Sequence, residues 1–188
     1  MTNDERERVL NDIRAAGEKL KSTVDVRLIP ESGLELGYAL KGARDPNAVA
    51  GLNLLKNPVD AVSLSCDFGL VPDISRSILT VMRFDPKIRS SATIRCTKPV
   101  YTKAMDLFFD VPFFESAKEP RGISTQDWGV ASCSSPGSVP QVIANIPTPQ
   151  KPALLRFFGE TPHDVATNII MLSNRVINIE IQDRSEWE

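Results

Sequence analysis

The chain has 188 residues, 41% hydrophobic and 24% charged, which is enough for one domain with a hydrophobic core. Its net charge of −2 argues against a broad nucleic-acid interface, which needs a clear basic excess. No apolar run has the length of a membrane span, and the first residues lack the apolar segment of a signal peptide.

The first predicted element is an amphipathic helix over residues 4–21. Its apolar side chains form one stripe, made of Val9, Leu10, Ile13, Ala16 and Leu20. The pattern favours a helix that packs at the edge of the domain. A dimer helix, or a connector from an upstream domain, is the alternative. We therefore assign residues 1–22 to an N-terminal helix or connector and residues 23–188 to the domain itself.

Short strands follow in the first third of the chain, at Val26–Ile29, Leu34–Leu40, Leu52–Leu55 and Val59–Ser63. The turn Pro30–Gly33 carries Glu31, which could hold a ligand hydroxyl or amine, or pair with Arg27. Asp45 and Pro46 have the pattern of a cap and first residue of a short helix.

The central stretch, residues 68–95, combines a loop, a helix and many cations. Asp73 is predicted to cap a helix whose apolar positions are Ile74, Ile78, Val81 and Met82. The helix should end at Phe84-Asp85-Pro86, because a residue before proline leaves the α region. Five cations crowd this stretch: Arg76, Arg83, Lys87, Arg89 and Arg95. They form either the basic solvent face of a core helix or, with the helix start, an oxyanion pocket.

Helices and strands alternate in the second half. Strands are predicted at Ala92–Cys96, Val111–Phe114, Val139–Ile146, Ala153–Phe158 and 177–182. Helices are predicted from Pro99 to Phe108, from Ser124–Asp127 onward in a capping-box pattern, and from Pro162 behind a Thr161 cap. This alternation predicts an α/β single domain, with a mixed or mostly parallel sheet and helices on both faces.

Two side chains of this half are candidates for ligand contact. Arg156 is the one charge in an apolar strand and needs a partner there, either a carboxylate or a ligand phosphate. Trp128 could stack on a flat heterocycle, although a buried indole is the commoner role. The proline-stiffened loop from Pro147 to Pro152 could close over a site.

Several chemistries lack their signatures. The sequence has no GxSxG elbow, Walker loop or GxGxxG motif. Cys66, Cys96 and Cys133 are too widely spaced for a metal cluster, and His163 is the only histidine. We therefore predict no metal site and reduced thiols in a cytoplasmic protein.

Four groups of residues resemble motifs of one family, the ThiN-type thiamine-phosphate synthase domain. They are Arg27–Gly33 with Tyr38–Leu40, Phe68-Gly69 with Arg76 to Ser90, Asp127–Val130, and Lys151 with Leu154–Gly159. The resemblance covers nearly the whole chain from Arg27. It implies a site for phosphorylated thiamine compounds, with Arg76, Arg89 and Arg156 as phosphate-binding residues. Asp85 also matches the family, although it could simply brace the turn before Arg89.

The chain also departs from the family pattern. Phe68-Gly69 is followed by Leu70-Val71-Pro72-Asp73, so Asp73 stands where the family has a histidine. Gly51-Leu52-Asn53 occupies the region of a family Gly-Arg pair, without the arginine. The resemblance therefore implies that catalysis is lost or severely weakened. It points to the sensor version of the domain, as in ThiR-type regulators, rather than to the synthase part of bifunctional ThiDN enzymes.

We accordingly expect a sensor that binds thiamine phosphate or a related phosphorylated thiamine compound. An active synthase and an interaction module with a vestigial pocket are the alternatives. No catalytic residue is assigned. The predicted ligand-binding residues are Arg76, Arg89, Ser90, Arg156, Lys151, Asp85, Trp128 and Glu31. We expect a homodimer, no cofactor except Mg²⁺ with a diphosphate ligand, and DNA contact only through a helix-turn-helix domain outside this chain.

Overall fold

The computed structural model describes residues 3–55, 64–120 and 127–177. Five α-helices are α1 (Asn3–Thr23), α2 (Pro72–Val81), α3 (Lys98–Phe108), α4 (Trp128–Ser132) and α5 (Pro162–Val176). Seven strands are β1 (Leu34–Ala39), β2 (Val49–Leu54), β3 (Cys66–Phe68), β4 (Ser90–Arg95), β5 (Phe113–Glu115), β6 (Val142–Ile146) and β7 (Leu154–Gly159).

The strands form a single mixed sheet in the order β3-β2-β1-β4-β7-β6-β5. All neighbours in this sheet are antiparallel except β5 and β6, which run parallel. The mixed α/β sheet is thus confirmed, and the mostly parallel version is wrong. Parallel pairing needs a long crossover between neighbouring strands, whereas the β1–β2 connection is a short excursion around Pro46–Ala48.

Helices cover both faces of the sheet, as predicted. Side chains alternate across the pleat, so Leu52 points to α1, where it lies against Gly17. Gly37 and Gly51 point the other way, to α2, and a Cβ on Gly51 would come within 2.0 Å of Val71 Cγ2. Helices α1, α3 and α5 share the first face, and α2 and α4 share the second. We call the second face the α2 face.

Helix α1 belongs to the hydrophobic core. Val9, Ile13 and Leu20 are buried together with the apolar side chains of β1 and β2. This agrees with the packing-helix interpretation. Use of residues 1–22 as a connector to another domain stays a prediction.

The helix ends follow the predicted capping chemistry in part. Thr161 and Asp164 form a reciprocal capping box at the start of α5, with Pro162 in its first turn. Asp45 caps the short 3₁₀ turn Pro46–Ala48 by accepting the Asn47 N–H. Asp73 does not cap α2, because the helix already begins at Pro72 and Val71 occupies the cap position without a side-chain hydrogen bond.

Several predicted strands differ from the structure. Val26–Leu28 is a 3₁₀ turn, because Asp25 accepts the Arg27 N–H and closes the turn. The strand predicted at Val111–Phe114 begins only at Phe113. This strand lies at the edge of the sheet, which leaves the Phe113 side chain 55% exposed. Ile177 ends α5 rather than starting a strand. The predicted strand Val59–Ser63 and residues 178–182 fall outside the described residues.

Two negative observations apply to the described part of the chain. None of its helices is long and apolar enough to cross a lipid bilayer. Its cysteines Cys66, Cys96 and Cys133 are free thiols. Burial raises the pKa of the Cys96 thiol to about 12, which keeps this thiol neutral and unreactive at physiological pH.

Candidate functional site

A cleft of about 340 Å³ opens on the α2 face. Its floor is a row of side chains that point the same way from five neighbouring strands. The row consists of Glu35 on β1, Thr93 on β4, Arg156 on β7, Asn145 on β6 and Phe114 on β5. Thr93 and Arg156 are direct partners across β4 and β7, and Phe114 pairs with Asn145. We call this opening the sheet-face cleft.

The walls come from helices and loops above the sheet. Asp73, Arg76 and Ser77 enter from α2, and Asp127 enters from the start of α4. Glu119 and the loop residue Lys151 close the side nearest β5 and β6. The cleft therefore contains three cations and four carboxylates among the described residues, so its lining is charged but not basic overall.

Arg156 is the central cation of the cleft. Its Nη1 donates a hydrogen bond of 3.0 Å to Asn145 Oδ1, and its Nε lies 4.0 Å from Asp127 Oδ2. Phe114 stacks nearby, with its ring centroid 5.4 Å from the guanidinium carbon. Burial lowers the pKa of Arg156, while Asp127 opposes that shift. Of the two predicted partners of this arginine, a carboxylate or a ligand phosphate, the structure shows the carboxylate, and it adds the amide of Asn145. The guanidinium also borders the cleft.

Asp127 ties α2 and α4 to this arginine. Its carboxylate accepts hydrogen bonds from Ser77 Oγ at 2.6 Å and from the Val130 N–H at 3.1 Å. Its own N–H donates to Thr80 Oγ1. Asp127 is therefore the N-cap of α4, whereas the capping pattern had assigned that role to Ser124, a residue outside the described part.

The other two cations pair with carboxylates that solvent reaches. Arg76 Nη2 lies 2.5 Å from Asp73 Oδ1, one helical turn away on α2. Lys151 pairs with Glu119 across the side of the cleft. Both pairs are solvent-accessible, so each contributes little to stability and can be opened by a ligand anion at low cost.

Glu35 has a different environment. It is half-buried on the floor of the cleft and, within residues 3–55, 64–120 and 127–177, it makes no ion pair. Burial raises the pKa of Glu35 and the nearby Asp73 raises it further, whereas the Ile74 N–H in the first turn of α2 and the more distant Arg156 lower it. The N-terminus of α2, which the sequence suggested as part of an oxyanion pocket, therefore already interacts with a carboxylate of the protein.

The structure brings three of the predicted ligand-binding residues together: Arg76, Lys151 and Arg156. Trp128 does not line the cleft, and its ring meets that of Phe114 edge to face with centroids 6.4 Å apart. Glu31 lies exposed in the turn before β1. Asp85 accepts the Lys87 N–H at 3.0 Å, which braces the turn before Arg89.

Arg89 and Ser90 lie apart from the cleft lining. Arg89 donates to the Ala39 carbonyl at 2.9 Å and to the Tyr38 hydroxyl at 2.5 Å. Tyr38 alternates with Gly37, so its side chain leaves the sheet on the face opposite α2. Ser90 is fully buried and donates to the Gly37 carbonyl. Ligand contact by these two residues stays a prediction, and in the structure both join β1 to β4.

A larger groove of about 860 Å³ lies on the other side of α2. It is lined mainly by apolar groups, including Pro46, Leu79 and Met82. Arg76 borders both openings. The carboxylate of this groove, Asp45, already caps a turn. The sheet-face cleft has the larger set of convergent polar side chains, which makes it the better candidate for a charged ligand.

Sequence reasoning missed several residues of this cleft as site residues, among them Glu35, Asn145 and Asp127. A signal existed for the first two. Glu35 alternates with the apolar stripe of β1, and Asn145 is a polar residue in an apolar strand. Asn145 is 2% exposed and donates to Ser116 Oγ and the Pro152 carbonyl while accepting from Arg156.

Comparison with known proteins agrees with the fold and the motifs. The family model for thiamine-phosphate synthase ThiN matches residues 12–171. The bifunctional thiamine biosynthesis protein ThiDN of Methanocaldococcus jannaschii is 28% identical over 169 residues, which cover 87% of this chain. The match covers only 40% of that longer relative.

Two solved structures have closely similar folds. The C-terminal domain of protein MJ0236 superimposes with a TM-score of 0.79 at 26% identity, covering 90% of this chain and 95% of that one. The C-terminal domain of a phosphomethylpyrimidine kinase gives a TM-score of 0.79 at 28% identity, covering 89% and 100%.

Proposed function

Because the chain belongs to the ThiN family of thiamine-phosphate synthase domains, we propose that it binds thiamine phosphate or a related phosphorylated thiamine compound in the sheet-face cleft. The observation that carries the proposal is the convergence of Arg76, Lys151 and Arg156 in one cleft. The two arginines of this set were assigned to phosphate from the family motifs, and they come from distant parts of the chain.

We propose that the ligand phosphate binds the cations whose present partners are easiest to replace. Arg76 and Lys151 pair with solvent-accessible carboxylates, and a phosphate can exchange for these at little cost. Arg156 is held in place by Asn145 and Asp127, so its guanidinium is already oriented when a ligand arrives. Preorganised donors of this kind bind phosphate with a small loss of side-chain entropy.

The charge of the cleft supports sensing rather than synthesis. Synthesis requires a pyrimidine diphosphate and a thiazole phosphate, both anionic, in one site. Here Asp73 borders the cleft beside Arg76, at the position where the family has its histidine, and adds a negative charge. Four carboxylates beside three cations oppose the binding of two anionic substrates together. We therefore propose a ligand-sensing domain of a thiamine-biosynthesis regulator that does not carry out the synthase reaction.

Calorimetric titration with thiamine phosphate and with thiamine diphosphate tests the binding. We expect saturable binding of at least one ligand, with stoichiometry near one per chain. No detectable heat with either ligand at millimolar concentration would refute the proposal. A pyrophosphate-release assay with both synthase substrates separates sensor from enzyme, because only the enzyme produces pyrophosphate.

Charge-neutralising variants locate the site. Arg76→Gln and Arg156→Gln should each weaken binding about tenfold or more, because each removes a charge-assisted contact to phosphate. Lys103→Gln is the matched control, since Lys103 lies on α3 and forms a surface pair with Asp106. Equal affinities for all four proteins would place the ligand elsewhere.

The remaining expectations concern assembly and cofactors. In the proposed regulator, the chain forms a cytoplasmic homodimer and reaches DNA through a helix-turn-helix domain. Light scattering of the purified chain measures the oligomeric state directly. Titration of thiamine diphosphate with and without Mg²⁺ tests whether the ion assists only the diphosphate, since Mg²⁺ commonly bridges protein carboxylates and ligand phosphates.

A further inference from the structure

We infer that Glu35 is the specificity-determining residue of the sheet-face cleft and that it selects ligands whose heterocycle carries a positive charge. This inference rests on the proposed function and names the ligand class more closely. It concerns the one cleft carboxylate that, among the described residues, forms no ion pair, since Arg156 acts on it only at longer range.

Of the four carboxylates that the described residues bring to the cleft, three have a cationic partner, and the fourth does not. Asp73 pairs with Arg76, Glu119 with Lys151, and Asp127 faces Arg156. Glu35 is the surplus charge, half-buried on the floor of the cleft. An ionised carboxylate in such a place is unfavourable without a positive partner, so a ligand that supplies one gains from it.

The separation of charges in the cleft matches a ligand with two opposite charges. Glu35 on β1 and Arg156 on β7 lie on either side of β4, two strand spacings or about 10 Å apart. In a molecule with a cationic ring near Glu35 and a phosphate near Arg156 and Lys151, each charge of the ligand meets an opposite charge of the cleft. An anionic ligand without a cation pairs only with Arg156 and Lys151 and leaves Glu35 unpaired.

This arrangement distinguishes a finished thiamine compound from its precursors. The thiazole nitrogen becomes permanently cationic only when it is joined to the pyrimidine-bearing carbon. The separate thiazole phosphate has a neutral ring, and the pyrimidine diphosphate is an anion. A carboxylate at the ring position thus favours the joined compound and disfavours each precursor, which a sensor of pathway product requires.

The test compares two ligands that differ only in this charge. They are thiamine phosphate and its thiophene isostere, in which carbon replaces the thiazolium nitrogen and the ring is neutral. Both are titrated by calorimetry into the wild-type chain and Glu35→Gln. We expect the wild type to bind thiamine phosphate at least tenfold more tightly than the isostere, and Glu35→Gln to lose most of this difference. Glutamine keeps an acceptor for the Ile74 N–H, and thermal unfolding verifies that the variant is folded.

Glu119→Gln is the matched control. It also removes one cleft carboxylate, but one already paired with Lys151. It should tighten binding of both ligands by a similar factor, because it releases a cation to the phosphate, and it should preserve their ratio. Equal affinities of the two ligands for the wild type, or an unchanged ratio in Glu35→Gln, would overturn the inference while leaving phosphate binding intact. Binding of neither ligand to the wild type would instead refute the proposed function, and the inference with it.

Discussion

The guanidinium of Arg156 lies 4.0 Å from the carboxylate of Asp127, and this contact joins the interior strand β7 to the residue that caps α4. The same carboxylate accepts from Ser77 on α2. Three elements on the α2 face are thus held at one point. The arrangement places a positive charge at the middle of the sheet-face cleft without leaving it unpaired.

Replacing Arg156 should affect both stability and binding. Arg156→Met keeps much of the aliphatic stem but removes the hydrogen bond to Asn145 and the charge beside Asp127. We expect a loss of about 2 kcal/mol in the free energy of unfolding, the typical value of a hydrogen bond to a charged group. Asp127 keeps two other donors, which limits the loss. Urea unfolding measures it, and a loss above about 4 kcal/mol would show that Asp127 depends on Arg156 far more than this geometry implies.

The capping box of α5 should contribute measurably to stability. Thr161→Ala removes the hydroxyl that accepts the Asp164 N–H and leaves the first turn of the helix with an unpaired donor. We expect a loss of about 1 kcal/mol. Thr102→Ala is the control, because Thr102 lies inside α3 and donates only to the Lys98 carbonyl. Alanine there should change stability by less than about 0.5 kcal/mol, since it is a better helix former. Similar losses in the two variants would contradict a capping role.

The contact between β2 and the start of α2 should be intolerant of a single methyl group. In Gly51→Ala the new Cβ would lie 2.0 Å from Val71 Cγ2, so α2 must shift or Val71 must change rotamer. We expect a loss of about 1–3 kcal/mol from overpacking. Combining it with Val71→Ala should restore part of that loss, because the obstructing methyl groups are removed. Strictly additive effects in this double-mutant cycle would show that the two residues do not contact.

The unpaired carboxylate of Glu35 should make stability depend on pH. Its pKa is raised in the folded state, so the folded protein holds this proton more tightly than the unfolded chain does. The stability associated with it is therefore full below the ordinary value of 4.5 and falls as pH rises through the raised value. Glu35→Gln should melt at a higher temperature than the wild type at pH 7, and the difference should shrink near pH 4. A variant that is less stable than the wild type at pH 7 would contradict this sign.

Elements with strong local signals were predictable from the sequence. The stripe from Val9 to Leu20 indicated α1, and Thr161 with Pro162 indicated the start of α5. The alternation of Leu34 and Leu36 with Glu35 indicated β1. These features depend on neighbours within a few positions, which is the information that periodicity contains.

The composition of the cleft depended on pairings that the sequence does not display. Arg76 and Arg89 are thirteen positions apart, yet Arg89 turns to Tyr38 on the opposite face because β4 fixes where its backbone enters the sheet. Arg156 and Glu35 are far apart in the chain, and only the order β1-β4-β7 brings them to one floor. Strand order and register are set by the whole sheet, so grouping arginines by proximity in the sequence joined residues that the fold separates.

The row beneath the cleft takes one side chain from each of five strands, and the chain positions involved run from Glu35 to Arg156. No fragment that lacks one of these strands would contain the complete row. Ligand occupancy therefore reports on the integrity of these five strands together, and by mass action a saturating ligand delays global unfolding instead of protecting one local segment. Amide exchange in the distant strands β1 and β6 should consequently slow together when the ligand is added.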